Sequence, residues 1–185
     1  MRSVPRLMFL CIPLTLAVGC GKDDTTGPQV NPNRAWLENV TVAPGNEVTM
    51  DLMIHNAEPI IFAQLPFKFS GTGCAVKSIE FAGPFATPLL SNPDEDSDPN
   101  RCNTWAAVGI QVPAGDHQFA TITFTIDAQA PAEIVKVEDY SYIGSSSIDP
   151  RNNLYKHFPN FGTFSGKVLD VDFTDGKITV QPPPS

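Results

Sequence analysis

The chain has 185 residues, of which 42% are hydrophobic, 17% charged and 9% aromatic, with a formal net charge of −8. That length fits one domain, while eighteen prolines and thirteen glycines exclude a helical bundle and the low charged fraction argues against intrinsic disorder. The negative charge argues against a nucleic-acid partner.

The chain opens with Arg2 and Arg6, followed by the twelve-residue apolar run Leu7–Val18. The run is too short to span a bilayer and suits the core of a signal peptide. It ends in Ala17-Val18-Gly19-Cys20, which resembles a bacterial lipobox. The resemblance implies cleavage before Cys20 and acylation of its thiol and amino group; an ordinary secretory signal cut nearby is the alternative. Several acyl chains on one residue anchor stably where one alone is marginal. Gly21 follows the lipidated position, which implies passage to the outer membrane or cell surface in a two-membrane bacterium. Residues 1–19 are then a signal peptide, and residues 20–34 are the lipidated Cys and a polar tether poor in large apolar side chains. Membrane contact is expected through the lipid alone.

Maturation leaves ten basic against twenty acidic residues, a net charge of −10. It also leaves two cysteines, Cys74 and Cys102. Two cysteines in an exported domain predict one disulfide. Closing that loop of about 29 residues would contribute roughly 3–4 kcal/mol in the chain-entropy model.

Residues 35–181 alternate with period two, and no stretch shows a helical apolar period. Short strands are predicted around Trp36–Val42, then at Val48–His55 with Val48, Met50, Leu52 and Ile54 on one face. Leu65, Phe67 and Phe69 share a face in the next strand. Further strands are expected around Ala75–Phe81 and Asn103–Ile110. Phe119–Ile126 sets Ala120, Ile122, Phe124 and Ile126 against Thr121, Thr123 and Thr125. Threonine-rich outer faces suit wet strands. Ile134–Tyr142 and Lys167–Phe173 follow, and Asp175-Gly176 signals a hairpin before Ile178-Thr179-Val180. The expectation is an all-β, single-domain, antiparallel sandwich with one wet face per sheet, ending in a Pro-rich tail at 182–185.

Four pieces of this pattern, in order, resemble cohesin domains: Val40 to Thr49 with its Pro44-Gly45 turn, Ile61 to Phe69, Gly115 to Ile126, and Asp175 to Val180. The resemblance implies a nine-stranded jelly-roll-like sandwich, an architecture also found in carbohydrate-binding modules. It implies a protein partner bound through one sheet face, which in cellulosomal cohesins is a dockerin. In type I cohesins a contacting Asp lies on the third strand; the matching position here is Pro66, which offers neither carboxylate nor backbone donor. No dockerin contact is carried over to any residue.

Other clusters are open to more than one reading. Asp94, Asp96 and Asp98 have the alternate spacing of a calcium loop, but the sixth position lacks Gly and the twelfth is Trp105 rather than Glu. They read as a solvated acidic loop, with Ca²⁺ or a basic partner as the alternative. Trp105, Tyr140 and Tyr142 would stack on sugar rings if exposed in a row, which makes a polysaccharide the alternative partner and polysaccharide binding or degradation the alternative role. His55, His117 and His157 have no metal spacing, and Gly144-Ser145-Ser146-Ser147 lacks the second glycine of a nucleophile elbow. No constellation supports catalysis, so a non-enzymatic binding module is expected.

Overall fold

The computed structural model describes residues 30–92, 100–144 and 155–182. The signal peptide, Cys20, most of the tether and the Asp94, Asp96 and Asp98 cluster lie outside the described residues. In chain order the strands are β1 (Arg34–Leu37), β2 (Val40–Val42), β3 (Glu47–Asn56), β4 (Ile60–Ser70), β5 (Cys74–Phe81), β6 (Leu90–Asn92), β7 (Arg101–Val112) and β8 (Gly115–Ile126). They continue as β9 (Ile134–Asp139), β10 (Tyr142–Gly144), β11 (Tyr155–His157), β12 (Asn160–Gly162), β13 (Val168–Asp170), β14 (Asp172–Thr174) and β15 (Gly176–Val180). A 3-10 turn at Gly83–Phe85 is the one helical element among the described residues. The predicted all-β sandwich is therefore present, with more and shorter strands than nine.

Two sheets face each other. One runs β14-β1-β3-β8-β5; the other runs β13-β12-β4-β9-β15-β2, extended by β7 on β4 and β6 on β7. β10 and β11 form a separate pair. Two of the extra strands arise where a predicted strand changes sheet. The first predicted strand breaks after Leu37, placing β1 in the five-stranded sheet and β2 in the other, and the predicted strand Lys167–Phe173 divides into β13 and β14 in the same way. The chain crosses once more between β14 and β15, and β1–β14 and β2–β15 pair in parallel. All other pairs are antiparallel, as expected. The Asp175-Gly176 signal is thus a crossing between sheets and not a hairpin. Gly176 is there because a Cβ would sit 2.6 Å from Leu37 Cβ and 2.7 Å from Met50 Cε.

The alternation predicted for β3 and β8 holds through most of both strands: Met50, Leu52 and Ile54 are buried, as are Ala120, Ile122, Phe124 and Ile126, while Val48 is only half-buried and Phe119 is buried against the alternation. Phenylalanines tie the sheets together. Phe69 of β4 meets Phe124 of β8 edge-on at 5.5 Å. Phe85, from the 3-10 turn, meets Phe119 at 4.9 Å. Such T-shaped pairs add to the burial of large apolar rings. Gly83 begins that turn at φ +53°, and a Cβ there would strike the Gln118 carbonyl oxygen at 2.7 Å.

β4 departs from the alternating pattern: Gln64, Leu65, Pro66 and Phe67 are all buried. One side of β4 pairs with β7. The other pairs with β12 through Phe62–Gln64 and with β9 through Phe67–Ser70. Pro66 falls in the gap between them. Its carbonyl accepts the Tyr140 N–H at 3.2 Å. A residue's N–H and C=O project to the same side of a strand, so the donor that Pro66 lacks would have faced this gap. The neighbouring strand breaks there, and the chain leaves after β9 and returns at β12.

Candidate binding faces

The outer face of the five-stranded sheet is open and polar. The registers line up Thr49, Thr123 and Ser78 in one row and Asp51, Thr121 and Glu80 in the next. Asp51 Oδ1 accepts from Gln118 Nε2 at 2.8 Å and from the Thr121 hydroxyl at 3.0 Å. Lys77 Nζ donates to Glu47 at 2.7 Å. A shallow groove lined by Glu47, Thr49, Lys77, Ser78, Glu80 and Thr123 crosses this face. Elsewhere on the same face Trp36 lies opposite Met53, both half-buried. Met53 has no distinguishing mark in the sequence beyond its outward parity in β3. His55, also on outer parity, places Nδ1 2.6 Å from Asp116 Oδ1.

The outer face of the other sheet is closed along its middle. Pro66 pairs with Asn103, and Gln64 lies opposite both Trp105 and Asn160. Asn103 is fully buried, while Asn160 and Gln64 keep only 2% and 3% exposure. Gln64 Nε2 donates to Asn103 Oδ1 at 3.0 Å, and Asn160 Nδ2 donates to Gln64 Oε1 at 3.2 Å and to the Phe158 carbonyl at 2.7 Å. These bonds satisfy amides that burial would otherwise penalise. At the edge of the face Arg101 stacks over the Tyr140 ring at 4.6 Å.

This arrangement breaks up the predicted aromatic row. Trp105 is 8% exposed and packs against Phe62 at 6.2 Å between ring centres. Tyr140 lies under Arg101, past the end of β9, and Tyr142 belongs to β10, whose side chains lie outside the described part. The two tyrosines do not share a strand, because the chain leaves the sheet between them.

The predicted disulfide is also absent. Cys74 of β5 and Cys102 of β7 are both buried thiols, one in each sheet. Cys74 lies opposite Ile126 and Cys102 opposite Phe67, so a bond would have to cross between the sheets. Burial, with the Glu133 and Asp127 carboxylates nearby, pushes the Cys74 thiol up to about 11. It is protonated and unreactive at neutral pH. Among the described residues no three His, Cys, Asp or Glu side chains converge as a metal site. No helix there is long and apolar enough to cross a membrane.

Among solved structures the likeness is uniform. A type I cohesin of Pseudobacteroides cellulosolvens, the seventh of its ScaB, aligns with 84% of this chain and 96% of its own, at 16% identity and a TM-score of 0.64. The fold is cohesin-like. A chain of a type I cohesin–dockerin complex from Clostridium thermocellum aligns with 82% of this chain and all of its own, at 11% identity and a TM-score of 0.65. A non-cellulosomal cohesin of the archaeon Archaeoglobus fulgidus covers 81% of this chain and 91% of itself, at 12% identity and a TM-score of 0.59. No family model matches the sequence, and no curated protein is similar to it.

Proposed function

We propose that the protein is a non-catalytic, lipid-anchored module of the bacterial cell envelope that holds a second protein, of dockerin type, at the outer membrane or cell surface. The observation that carries this is the near-complete alignment of the two-sheet domain with cohesins, several of them, like the Clostridium thermocellum chain, in complexes with dockerins. A fold alone does not specify a partner, so the site must supply the argument. The five-stranded face is flat, open and polar, with Trp36 and Met53 as an apolar anchor beside hydroxyls and carboxylates. Interfaces commonly combine a large apolar anchor with a polar surround. The middle of the opposite face is already buried, and the Asp expected of a type I contact is replaced by Pro66. A lipid at Cys20 would hold the module near its partner and raise effective concentration.

The test is capture from envelope and culture extracts by the full chain, with and without calcium, beside the Thr123→Arg variant. A single protein retained stoichiometrically by the parent chain and lost by Thr123→Arg supports the reading, and calcium dependence assigns the dockerin class. Retention unaffected by Thr123→Arg moves the contact off this face. Retention of polysaccharide instead of protein would replace the reading.

A further inference from the structure

The described residues expose seven large apolar side chains, and six of them gather at one end of the sandwich: Val30, Leu89, Leu90, Ile110, Phe164 and Val168. The registers define that end. Arg34 pairs with His55, Asn56 with Gly115, Ile60 with Val112, and Gly162 with both Phe62 and Val168. The start of β1 and the β3–β4, β7–β8 and β12–β13 turns therefore lie together. The seventh, Ile134, begins β9 at the opposite end.

Five of the six line three shallow grooves. Val30 and Val168 line the first. Phe164, at the tip of the β12–β13 turn, lines the second with Val108 and Gly109. Val108 and Gly109 continue into the third, with Ile110 and Leu89, and Leu90 follows Leu89. Only two lining residues carry charge: Lys167, which is bonded to Glu58, and Asp170. The grooves themselves are thus mainly apolar, with Arg34, Glu58, Asp116 and Asp172 around them at the same end. Phe164 is 76% exposed and Ile110 is 72% exposed, so neither packs into the core. Exposed apolar patches of this kind mark surfaces that meet something else.

The position of the chain identifies what that is. Val30, on this rim, is ten residues after Cys20. Ten residues reach at most about 35 Å when fully extended, whereas a domain of some 150 residues is about 40 Å across. A lipid on Cys20 therefore lets this end meet the bilayer, while the opposite end lies beyond the tether's reach.

We propose that this apolar end is a membrane-docking surface that inserts Phe164, Ile110 and their neighbours into the bilayer interface beside the anchor. The inference rests on the lipid-anchor reading above. Apolar side chains at an interface add affinity in proportion to the area they bury, and docking by this end leaves both sheet faces standing clear of the membrane.

The experiment uses the full chain expressed in a bacterial host and reconstituted into phosphatidylcholine vesicles with brominated acyl chains. Phe164→Trp and Ile134→Trp place a fluorophore at the two ends, and the parent chain supplies the background of Trp36 and Trp105. Extra quenching of Phe164→Trp but not Ile134→Trp is expected. Equal quenching of the two, or none in either, overturns the docking. The mass of the N-terminal fragment reports acylation separately. If it carries no lipid, the anchor reading fails, and the same vesicles added to the unacylated chain decide the docking: quenching of Phe164→Trp upholds it and the absence of quenching overturns it.

Discussion

The two outer faces of this sandwich start from the same rule and end differently. On β3 and β8 the outward residues Thr49, Asp51, Thr121 and Thr123 remain at the surface and form a wet face, while Phe119, which the bulge leaves out of the register, turns into the core. On β4 and β7 the equivalent outward positions, Gln64, Pro66, Asn103 and Trp105, are buried. One correlate is local: β9 and β12 pair with β4 on either side of Pro66, which has no N–H to offer the gap between them. The closed face then requires its amides to satisfy one another, and the open face does not.

That contrast predicts unequal sensitivity to substitution. Gln64→Ala removes the acceptor of Asn160 and the donor to Asn103 inside a buried cluster, and should cost about 2–4 kcal/mol in urea unfolding. A cost below about 0.5 kcal/mol would mean the face is open to water. Gln64→Leu should lose a similar amount, since both asparagines still lose their partner.

An intermediate effect is expected at the margin between sheets. Cys74 holds its proton more tightly folded than unfolded, because its thiol is pushed up to about 11 against an ordinary value near 9. Its contribution to stability is therefore complete below about pH 8.5, where the unfolded thiol is also protonated. It declines as pH rises from there to about 11, as the unfolded chain releases its proton first. Comparing unfolding at pH 8 and pH 10 should show a steeper loss for the parent chain than for Cys74→Ala. In the same material, alkylation after unfolding without reductant should label both Cys74 and Cys102; protection of the pair would restore the disulfide.

The smallest effect belongs to the open face. Thr125→Ala removes only a 3.3 Å bond from its hydroxyl to the Ala75 carbonyl, and should change stability by no more than about 0.5 kcal/mol. A larger loss would show that the threonine face is covered and would break the contrast.

Local pattern alone specified the all-β class, the inward faces of β3 and β8, and the approximate place of most strands, because period-two alternation is read directly wherever one face is wet and one dry. It also specified the apolar run before Cys20, on which the envelope reading rests. The order of four short motifs pointed to the cohesin-like fold, and the solved neighbours bear that out. Tertiary structure alone decided the rest. The sheet crossings at β1–β2 and β14–β15 depend on how two distant strands run side by side, so Asp175-Gly176 looked like a hairpin when its glycine was serving a close approach to Leu37 and Met50. Trp105 was open to both a core and a platform reading, because exposure is a property of what lies above a residue, which parity within one strand does not record. Cys74 and Cys102 looked like a pair because counting cysteines records neither where each sits nor how far apart they are, and the fold leaves both as buried thiols. The apolar end is the clearest case. Val30, Leu89, Ile110 and Phe164 are spread over 135 residues of sequence, and only the antiparallel registers bring them to the end where the tether arrives.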